Sequence, residues 1–348
     1  MPAEAGSRSP VEAGLRHRPR WRWQETVFWI LAFGSFFLTS DKHLLVSEIA
    51  ILALFALSLD LILGYAGIVS LGHAAFLGLG AYVAGLLAKH GAGEPLLGLV
   101  AAAAAAALAG FATSFLVLRG ADLTRLMVTL GVALVFGEIA NQAAWLTGGA
   151  DGLQGITMGP VLGLFEFDIF GRTAHAYTLV VLFILFLLAR RVVHSPFGLS
   201  IMAIRDNPLR ARAVGVPVNR RLVAIYTMAA AYAGVAGALL AQTTQFVSLD
   251  VLEFHRSADL ILVLVIGGAG YLYGGLIGAV VFKLLQDAFA TLTPQYWLFW
   301  IGLILVVLVL VGRERISLHA HGVLGRIFGR LGLPGRRVAP LAGGEPRP

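Results

Sequence analysis

Long apolar runs, separated by short polar or glycine-rich stretches, make up most of the chain. Many runs approach or reach the roughly 20 residues that a helix needs to cross a bilayer core. They lack period-two alternation, which excludes a transmembrane barrel and leaves helices to satisfy the backbone in lipid. The pattern predicts an all-α polytopic membrane protein with about 10 transmembrane helices, or about 8 with re-entrant segments, some of them glycine-broken. The predicted spans are 25–40, 44–63, 67–88, 96–118, 124–146, 176–193, 221–241, 257–272, 274–291 and 295–312.

Both ends of the chain are basic and fall outside the predicted membrane domain, 25–312. Residues 1–24 end in RHRPRWRW and an apolar run follows, as in a signal peptide, but no small-residue cleavage site comes next. We therefore predict an uncleaved first helix. The tail, 313–348, is rich in arginine, glycine and proline, and it predicts a short amphipathic helix over 321–331 followed by disorder.

Arginine is unevenly distributed between the loops that alternating spans place on opposite faces. One face receives the N-terminus, the turn with Arg119 and Arg125, the loop from Arg190 to Arg221 and the tail. Only Arg172 and Arg256 fall on the other face. The positive-inside rule makes the arginine-rich face cytoplasmic, so both termini are predicted to be cytoplasmic and the glycine-rich segment 147–175 external.

Composition removes several functional classes. The 348 residues are 58% hydrophobic and 13% charged, about half the charged share of a soluble domain. A net charge of +7 is explained by basic loops beside anionic lipid, so no nucleic-acid partner is predicted. The chain has no cysteine and no G-x-x-x-x-G-K-[ST] motif, which excludes thiolate chemistry and a P-loop ATP site. The histidines lack metal-ligand spacing, so we predict no metal, no cofactor and no catalytic residue.

The stretch LILGYAGIVSLGHAAFLGLGAYVAGLL, 61–87, carries many glycines within a predicted membrane segment. Glycine costs a helix about 1 kcal/mol relative to alanine, so the pattern needs a reason. Small residues such as Ala81 and Gly85 allow helices to approach closely. Glycines also permit a broken helix whose freed backbone groups line a polar path near the midplane. Ser70 and His73 lie in the broken part, either as packing residues or beside a translocation path, and the sequence leaves both open.

A second polar group lies in VTLGVALVFGEIANQAAWLTGGADGL, 128–153. A carboxylate inside an apolar span costs at least about 2.5 kcal/mol unless it faces the bundle interior or water. Glu138 and Asn141 are three residues apart and share a helix face. They are either a structural pair between helices or part of the translocation path. The same choice applies to Asp60 and Asp259.

The stretch LVLVIGGAGYLYGGLIGAVVFKLLQDAF, 262–289, is a glycine-broken hairpin in the C-terminal half. Paired glycine-broken segments in two halves are typical of transporters built from related repeats. The sequence admits a proton-coupled secondary transporter of a small polar solute, with Glu138, Asp60 or Asp259 as relay. A channel is less favoured, because no charged or carbonyl-ring filter is evident.

The charged segment SPFGLSIMAIRDNPLRARAVGVPVNRR, 195–221, interrupts the apolar pattern. Ser195 to Gly198 is predicted to break the preceding helix, and 199–214 has helical spacing with Ile201, Ile204, Leu209 and Ala213 as its less polar positions. Gly215 is predicted to end this helix in a left-handed cap. A cytoplasmic helix with an arginine face either docks a partner or lies at the lipid headgroups.

Five segments resemble the permeases of branched-chain amino-acid ABC importers, and within that group the M-type subunit of a two-permease pair. They are LDLILGYAGIVSLGHAAFLGLGAY, VTLGVALVFGEI, TGGADGL, SPFGLSIMAIRDNPLRARAVGV and VIGGAGYLYGGLIGA. The resemblance spans about residues 40–312. It implies a subunit of the bacterial inner membrane that takes up branched-chain or related amino acids, and relatives with similar motifs also handle urea or amides.

The resemblance also implies the partners. These are a second homologous permease, two cytoplasmic ABC ATPases that hydrolyse the ATP, and a periplasmic or lipid-anchored substrate-binding protein, all beside membrane lipid. The loop 194–220 then becomes the coupling segment that docks into an ATPase. Its expected contact residues are Arg205, Asp206, Arg210, Arg212 and Gly215.

Overall fold

The computed structural model describes residues 23–38, 42–91, 93–120, 122–168, 170–296, 299–304 and 306. Within these ranges the chain forms helices and two isolated β-bridges but no strand. The helices are α1 (Trp23–Leu38), α2 (His43–Asp60), α3 (Ala74–Lys89), α4 (Pro95–Val117), α5 (Asp122–Gln142), α6 (Ala144–Thr147), α7 (Arg172–Val193), α8 (Pro196–Asp206), α9 (Pro208–Ala213), α10 (Val218–Thr244), α11 (Phe254–Gly267) and α12 (Leu272–Leu292). A π-helical turn, Leu61–Tyr65, continues α2, and 3₁₀ turns occur at Gly149–Asp151 and Leu249–Leu252. The prediction of an all-helical chain is confirmed.

Six helices in the described ranges are long and apolar enough to cross a membrane, judged by length and composition. They are α2 with its π-helical turn, α4, α5, α7, α10 and α12. Helix α3 is apolar but only 16 residues long, and α11 has 14. Half of the predicted span 295–312 lies outside the described residues, and so do the N-terminal segment up to residue 22 and the tail 313–348. The count of about 10 crossings is therefore not confirmed.

Helix α10 is the most contacted helix of the compact unit that ends at Leu284. Small residues make its packing against α3 and α4 close. A Cβ added to Gly237 would overlap the Leu77 carbonyl of α3, and one added to Gly234 would lie 2.7 Å from the Ala102 carbonyl of α4. Gln242 donates a 2.8 Å hydrogen bond to the Pro95 carbonyl at the start of α4. Thus α4 and α10 run antiparallel, and the close approach of their backbones stabilises the contact between them.

Helix α1 packs against α7. Trp29 is 4% exposed and meets Phe183 and Phe186, with ring centroids 4.7 Å and 5.2 Å away. An Nη1 of Arg190, at the last turn of α7, lies 2.9 Å from Oε2 of Glu25 in the first turn of α1. The beginning of α1 and the end of α7 are therefore at the same end of the bundle.

The segment predicted as a span over 67–88 is helical only from Ala74. Residues 66–73 form an irregular connection, and backbone donors in it and at the start of α3 find side-chain acceptors. The Leu71 N–H donates to Oγ1 of Thr129 over 3.2 Å, and the Ala74 N–H donates to Oγ of Ser257 over 2.9 Å. Irregular backbone at membrane depth is tolerated where it is buried in protein and satisfied in this way. The predicted broken helix is confirmed, and its boundary is corrected.

Helix α5 is the least enclosed of the apolar helices in the first unit. It ends at Gln142, whereas the prediction continued it to residue 146, and the short helix α6 follows after Ala143. Only 17% of its most apolar 18-residue stretch is buried. In the second unit, from Leu285 on, the rings of Phe289 and Trp300 stack with centroids 6.2 Å apart.

Candidate coupling segment and translocation cavity

The predicted coupling segment consists of two helices rather than one. Helix α8 begins at Pro196, where the Ser195 hydroxyl accepts a 3.4 Å hydrogen bond from the Gly198 N–H. The break falls at Asn207, which has φ −160° and ψ 101°. Proline disfavours helical backbone in the residue before it, so Pro208 ends α8 and starts α9. The Asn207 side chain caps α9 by accepting a 2.9 Å hydrogen bond from the Arg210 N–H. The prediction of one continuous helix over 199–214 is wrong.

The apolar positions of this segment serve two different purposes. Ile201 and Ile204 of α8 are 1% and 4% exposed, so they pack against the rest of the chain. Leu209 and Val214 are each 74% exposed. The arginines of α9 are exposed beside them, as is Asp206. Helix α9 thus presents an apolar and basic surface, which we call the α9 face and define by Leu209, Arg210, Arg212 and Val214.

Arg205 does not belong to the α9 face. Its Nη1 donates a hydrogen bond to the Gly64 carbonyl in the π-helical turn that ends α2. The same side chain contacts Gly67, where an added Cβ would lie 3.0 Å from Cγ of Arg205. The Arg205 side chain thus links the coupling segment to the membrane bundle of its own chain, and its contact with an ATPase stays a prediction.

Asp60 extends this contact to the turn between α11 and α12. Its Oδ1 accepts a 2.7 Å hydrogen bond from the Gly270 N–H, and the side chain is fully buried. A Cβ on Gly64 would overlap both Asp60 and the Gly270 backbone, so only glycine fits between them. Gly270 itself has φ +79°, which glycine adopts without strain. We call these four residues, Asp60, Gly64, Arg205 and Gly270, the junction.

Gly215 ends α9 as predicted. Its φ is +86°, in the left-handed region, and an added Cβ would meet no atom within 4 Å. The Val216 N–H donates to the Ala211 carbonyl over 3.0 Å, and the Gly215 N–H to the Arg212 carbonyl over 3.0 Å. Backbone conformation alone, and not lack of space, therefore favours glycine here.

Glu138 and Asn141, which were predicted to share a helix face, line the same cavity. The cavity has a volume of about 520 Å³ and lies between α5 and the residues around the start of α11. Glu138 is exposed, and its Oε1 accepts a 2.7 Å hydrogen bond from Nε2 of Gln142. The facing wall is formed by Leu249, Leu252 and the sequence Glu253-Phe254-His255. Glu138 therefore does not tie α5 to another described helix.

Glu253 and His255 were not predicted as site residues. The ring nitrogens of His255 lie 3.0 Å from Oε2 of Glu253 and 3.1 Å from Oδ1 of Asp250, and Arg256 pairs with Asp250. These are hydrogen-bonding distances, so contacts among its own members account for this cluster. The signal in the sequence was the density of charge in DVLEFHR, at the start of an apolar helix.

Ser70 and His73 lie apart from that cavity. Both are buried, at 1% and 0% exposure. Nε2 of His73 is 2.9 Å from Oγ of Ser58, and the His73 ring stacks on Phe55 with centroids 5.8 Å apart. The structure thus brings Glu138 and Asn141 together but does not join Ser70 and His73 to them. The close packing of 61–87 against other helices is clear at Gly80, where a Cβ would overlap Gly234.

Comparison with known proteins identifies related permeases. Residues 44–309 match the family model described as "Branched-chain amino acid transport system / permease component". The chain is 28% identical over 283 residues to the high-affinity branched-chain amino acid transport system permease protein LivM of Salmonella typhimurium and to that of Escherichia coli K12. Those alignments cover 73% of this chain and 64% of each LivM protein, so the chain spans less than two thirds of their length.

Permeases for other substrates are also similar. The fructose import permease protein FrcC of Rhizobium meliloti is 26% identical over 295 residues, covering 82% of this chain and 81% of FrcC. The autoinducer 2 import system permease protein LsrC of Enterobacter sp. is 29% identical over 255 residues, covering 70% of this chain and 71% of LsrC. No solved structure matches the chain.

Proposed function

Because this chain belongs to the permease component family of the branched-chain amino acid transport systems, we propose that it is a transmembrane subunit of an ABC importer. It resides in the bacterial inner membrane with both termini in the cytoplasm. A second homologous permease, two cytoplasmic ATPases and a periplasmic or lipid-anchored substrate-binding protein complete the importer. Branched-chain or related amino acids are the preferred substrates, which the family model and the two LivM relatives support.

The observation that carries the proposal is that the two helices of the coupling segment make different contacts: α9 is exposed, and α8 is bonded to the membrane bundle. The α9 face is exposed, apolar and basic, which suits docking onto a soluble partner. Arg205, on the preceding helix, bonds to Gly64 of the membrane bundle. A movement of the docked ATPase would thus be passed through α8 to the end of α2, and through Asp60 to the turn before α12.

The experiment separates docking from transmission. Leu209→Asp places a carboxylate on the α9 face and is expected to abolish both co-purification of the ATPase and uptake. Arg205→Gln is expected to keep ATPase co-purification but to reduce leucine uptake in cells by at least about tenfold. Removing a hydrogen bond made by a charged group costs roughly 1.5–3 kcal/mol, which is a tenfold or larger change in a coupling equilibrium.

The control is Leu164→Asp, on the loop between α6 and α7, where the leucine is 77% exposed. It is expected to change neither quantity. Full ATPase binding and uptake in Leu209→Asp would show that α9 lies at the lipid headgroups instead. Uptake that continues without any ATPase but stops with an uncoupler would favour the proton-coupled alternative.

The cavity beside α5 is the proposed translocation surface. Glu138, Asn141 and Glu253 supply oxygen acceptors for the ammonium group of an amino acid, and the leucines of the cavity suit an aliphatic side chain. Little of helix α5 is buried within this chain, so much of its surface is free to contact another subunit. This supports a second permease that closes the path. Glu138→Gln is expected to lower the rate of uptake more at limiting leucine concentration than at saturating leucine concentration. An unchanged concentration dependence would remove Glu138 from the path.

A further inference from the structure

A large groove runs between α4 and α10 at the arginine-rich end of the bundle. Its volume is about 890 Å³, within the range of about 300–1,000 Å³ that small-molecule sites occupy. It lies apart from the cavity of Glu138 and from the junction. Its walls are mostly apolar, with Phe111, Phe115, Val223 and Met228 among the larger side chains.

The outer face of α4 has the composition of a surface in contact with hydrocarbon. No charged residue occurs between Pro95 and Val117, and six large apolar side chains are 49% to 71% exposed. These are Leu97, Val100, Leu108, Phe111, Phe115 and Leu116. The hydroxyls of Thr113 and Ser114 bond carbonyls of their own helix over 2.8 Å and 2.6 Å. This face therefore offers a neighbour no polar group, unlike α5 with Glu138 and Asn141.

Two arginines stand at one end of this apolar groove. Arg119 follows the C-terminus of α4 and Arg220 lies in the first turn of α10, and both line the groove with exposed side chains. Within the described part of the chain, neither arginine has an ion pair or side-chain hydrogen bond. Apolar walls that end in two cations match the two parts of a lipid with an anionic headgroup.

We propose that this groove binds an anionic phospholipid, with one acyl chain between α4 and α10 and the phosphate at Arg119 and Arg220. The proposal does not depend on what the protein transports. Guanidinium groups bind phosphate oxygens in bidentate geometry, so two arginines at one site favour an anionic headgroup over a zwitterionic one. The attraction of each basic residue near such a headgroup corresponds to about a fivefold gain in affinity.

Native mass spectrometry of the full-length protein in detergent, with the subunits that co-purify with it, tests this proposal. The probes are dioleoylphosphatidylglycerol and dioleoylphosphatidylcholine. The double variant Arg119→Gln/Arg220→Gln is expected to lose affinity for phosphatidylglycerol by about 25-fold, and each single variant by about fivefold. Affinity for phosphatidylcholine is expected to stay within about twofold. The matched control is Arg191→Gln, an exposed arginine at the same end of the bundle, which is expected to change neither affinity.

A second variant tests the groove rather than the charges. Ala224→Trp fills the groove near its arginine end and is expected to lower occupancy by both lipids. Equal phosphatidylglycerol affinity in Arg119→Gln/Arg220→Gln and Arg191→Gln would overturn the proposal. So would a cross-link to another protein chain from Ala107→Cys in this cysteine-free sequence, because the groove would then be covered by protein.

Discussion

Helices α5 and α10 have the same mean hydropathy, 1.7, over their most apolar 18-residue stretches. Yet only 17% of this stretch is buried in α5, against 72% in α10. The difference is visible at their glycines. Gly234 and Gly237 of α10 approach the backbones of α4 and α3, whereas a Cβ on Gly131 or Gly137 of α5 would meet nothing within 4 Å. Hydropathy thus shows that a helix can enter the membrane, and the neighbours of its small residues show whether it is packed within its own chain.

The largest effect on stability is expected where α10 packs so closely that no side chain fits, at Gly237. Gly237→Ala forces a methyl group against the Leu77 carbonyl and is expected to destabilise the protein by about 3 kcal/mol, the upper range for overpacking. Gly137→Ala on α5 is the matched control and is expected to leave stability unchanged or raise it, by about 1 kcal/mol at most. Thermal unfolding in detergent, followed by size-exclusion chromatography, measures both. Equal losses in the two variants would remove the distinction between the helices.

A smaller effect on stability is expected at one polar residue of each helix, Gln242 of α10 and Glu138 of α5. Gln242 of α10 is 1% exposed and bonds the Pro95 carbonyl, so Gln242→Leu is expected to cost about 1–2 kcal/mol of stability. Glu138→Leu on α5 removes an exposed carboxylate and is expected to change stability by less than about 0.5 kcal/mol while lowering uptake. Denaturation and uptake are measured on the same preparations. A large loss of stability in Glu138→Leu with normal uptake would make this carboxylate structural.

A third effect, local and about as large as that of Gln242→Leu, is expected just before α10 begins. Gly215 is needed for its φ of +86° and not for space, so Gly215→Val is expected to cost about 1–2 kcal/mol locally. Gly215→Asn is the control, because asparagine enters the left-handed region more readily. We expect weaker ATPase co-purification in the valine variant only, measured by pull-down from detergent. Identical pull-down in both variants would mean that the end of α9 tolerates other conformations.

The sequence predicted those helices whose apolar runs are continuous. The predicted span 96–118 corresponds to Pro95–Val117, and 221–241 corresponds to Val218–Thr244. Continuous apolarity is a local property, so the chain's own order of residues is enough to locate such helices. The break at Asn207 was also locally encoded, by Pro208, but helical spacing on both sides of it hid the signal.

The contacts of the candidate sites were less predictable for a physical reason. Arg205 reads as a surface cation of a cytoplasmic helix, yet it bonds a residue 141 positions earlier. The side chains that face Glu138 come from the 3₁₀ turn before α11 and from the first residues of α11, more than a hundred residues later in the chain. Such pairings are set by how the helices pack, and no periodicity in one segment carries that information.

The irregular connection over 66–73 has a consequence for the order in which the protein is made. Its Leu71 amide is satisfied by Thr129, 58 residues further along, and the Ala74 amide that follows it at the start of α3 is satisfied by Ser257, 183 residues further along. A ribosome that adds about 5–20 residues per second reaches Ser257 about 10–40 s after Ala74. Unpaired amides cost several kcal/mol each in hydrocarbon. The nascent N-terminal spans therefore need water or the insertion machinery beside this segment until the C-terminal half arrives, so the bundle closes late in biogenesis.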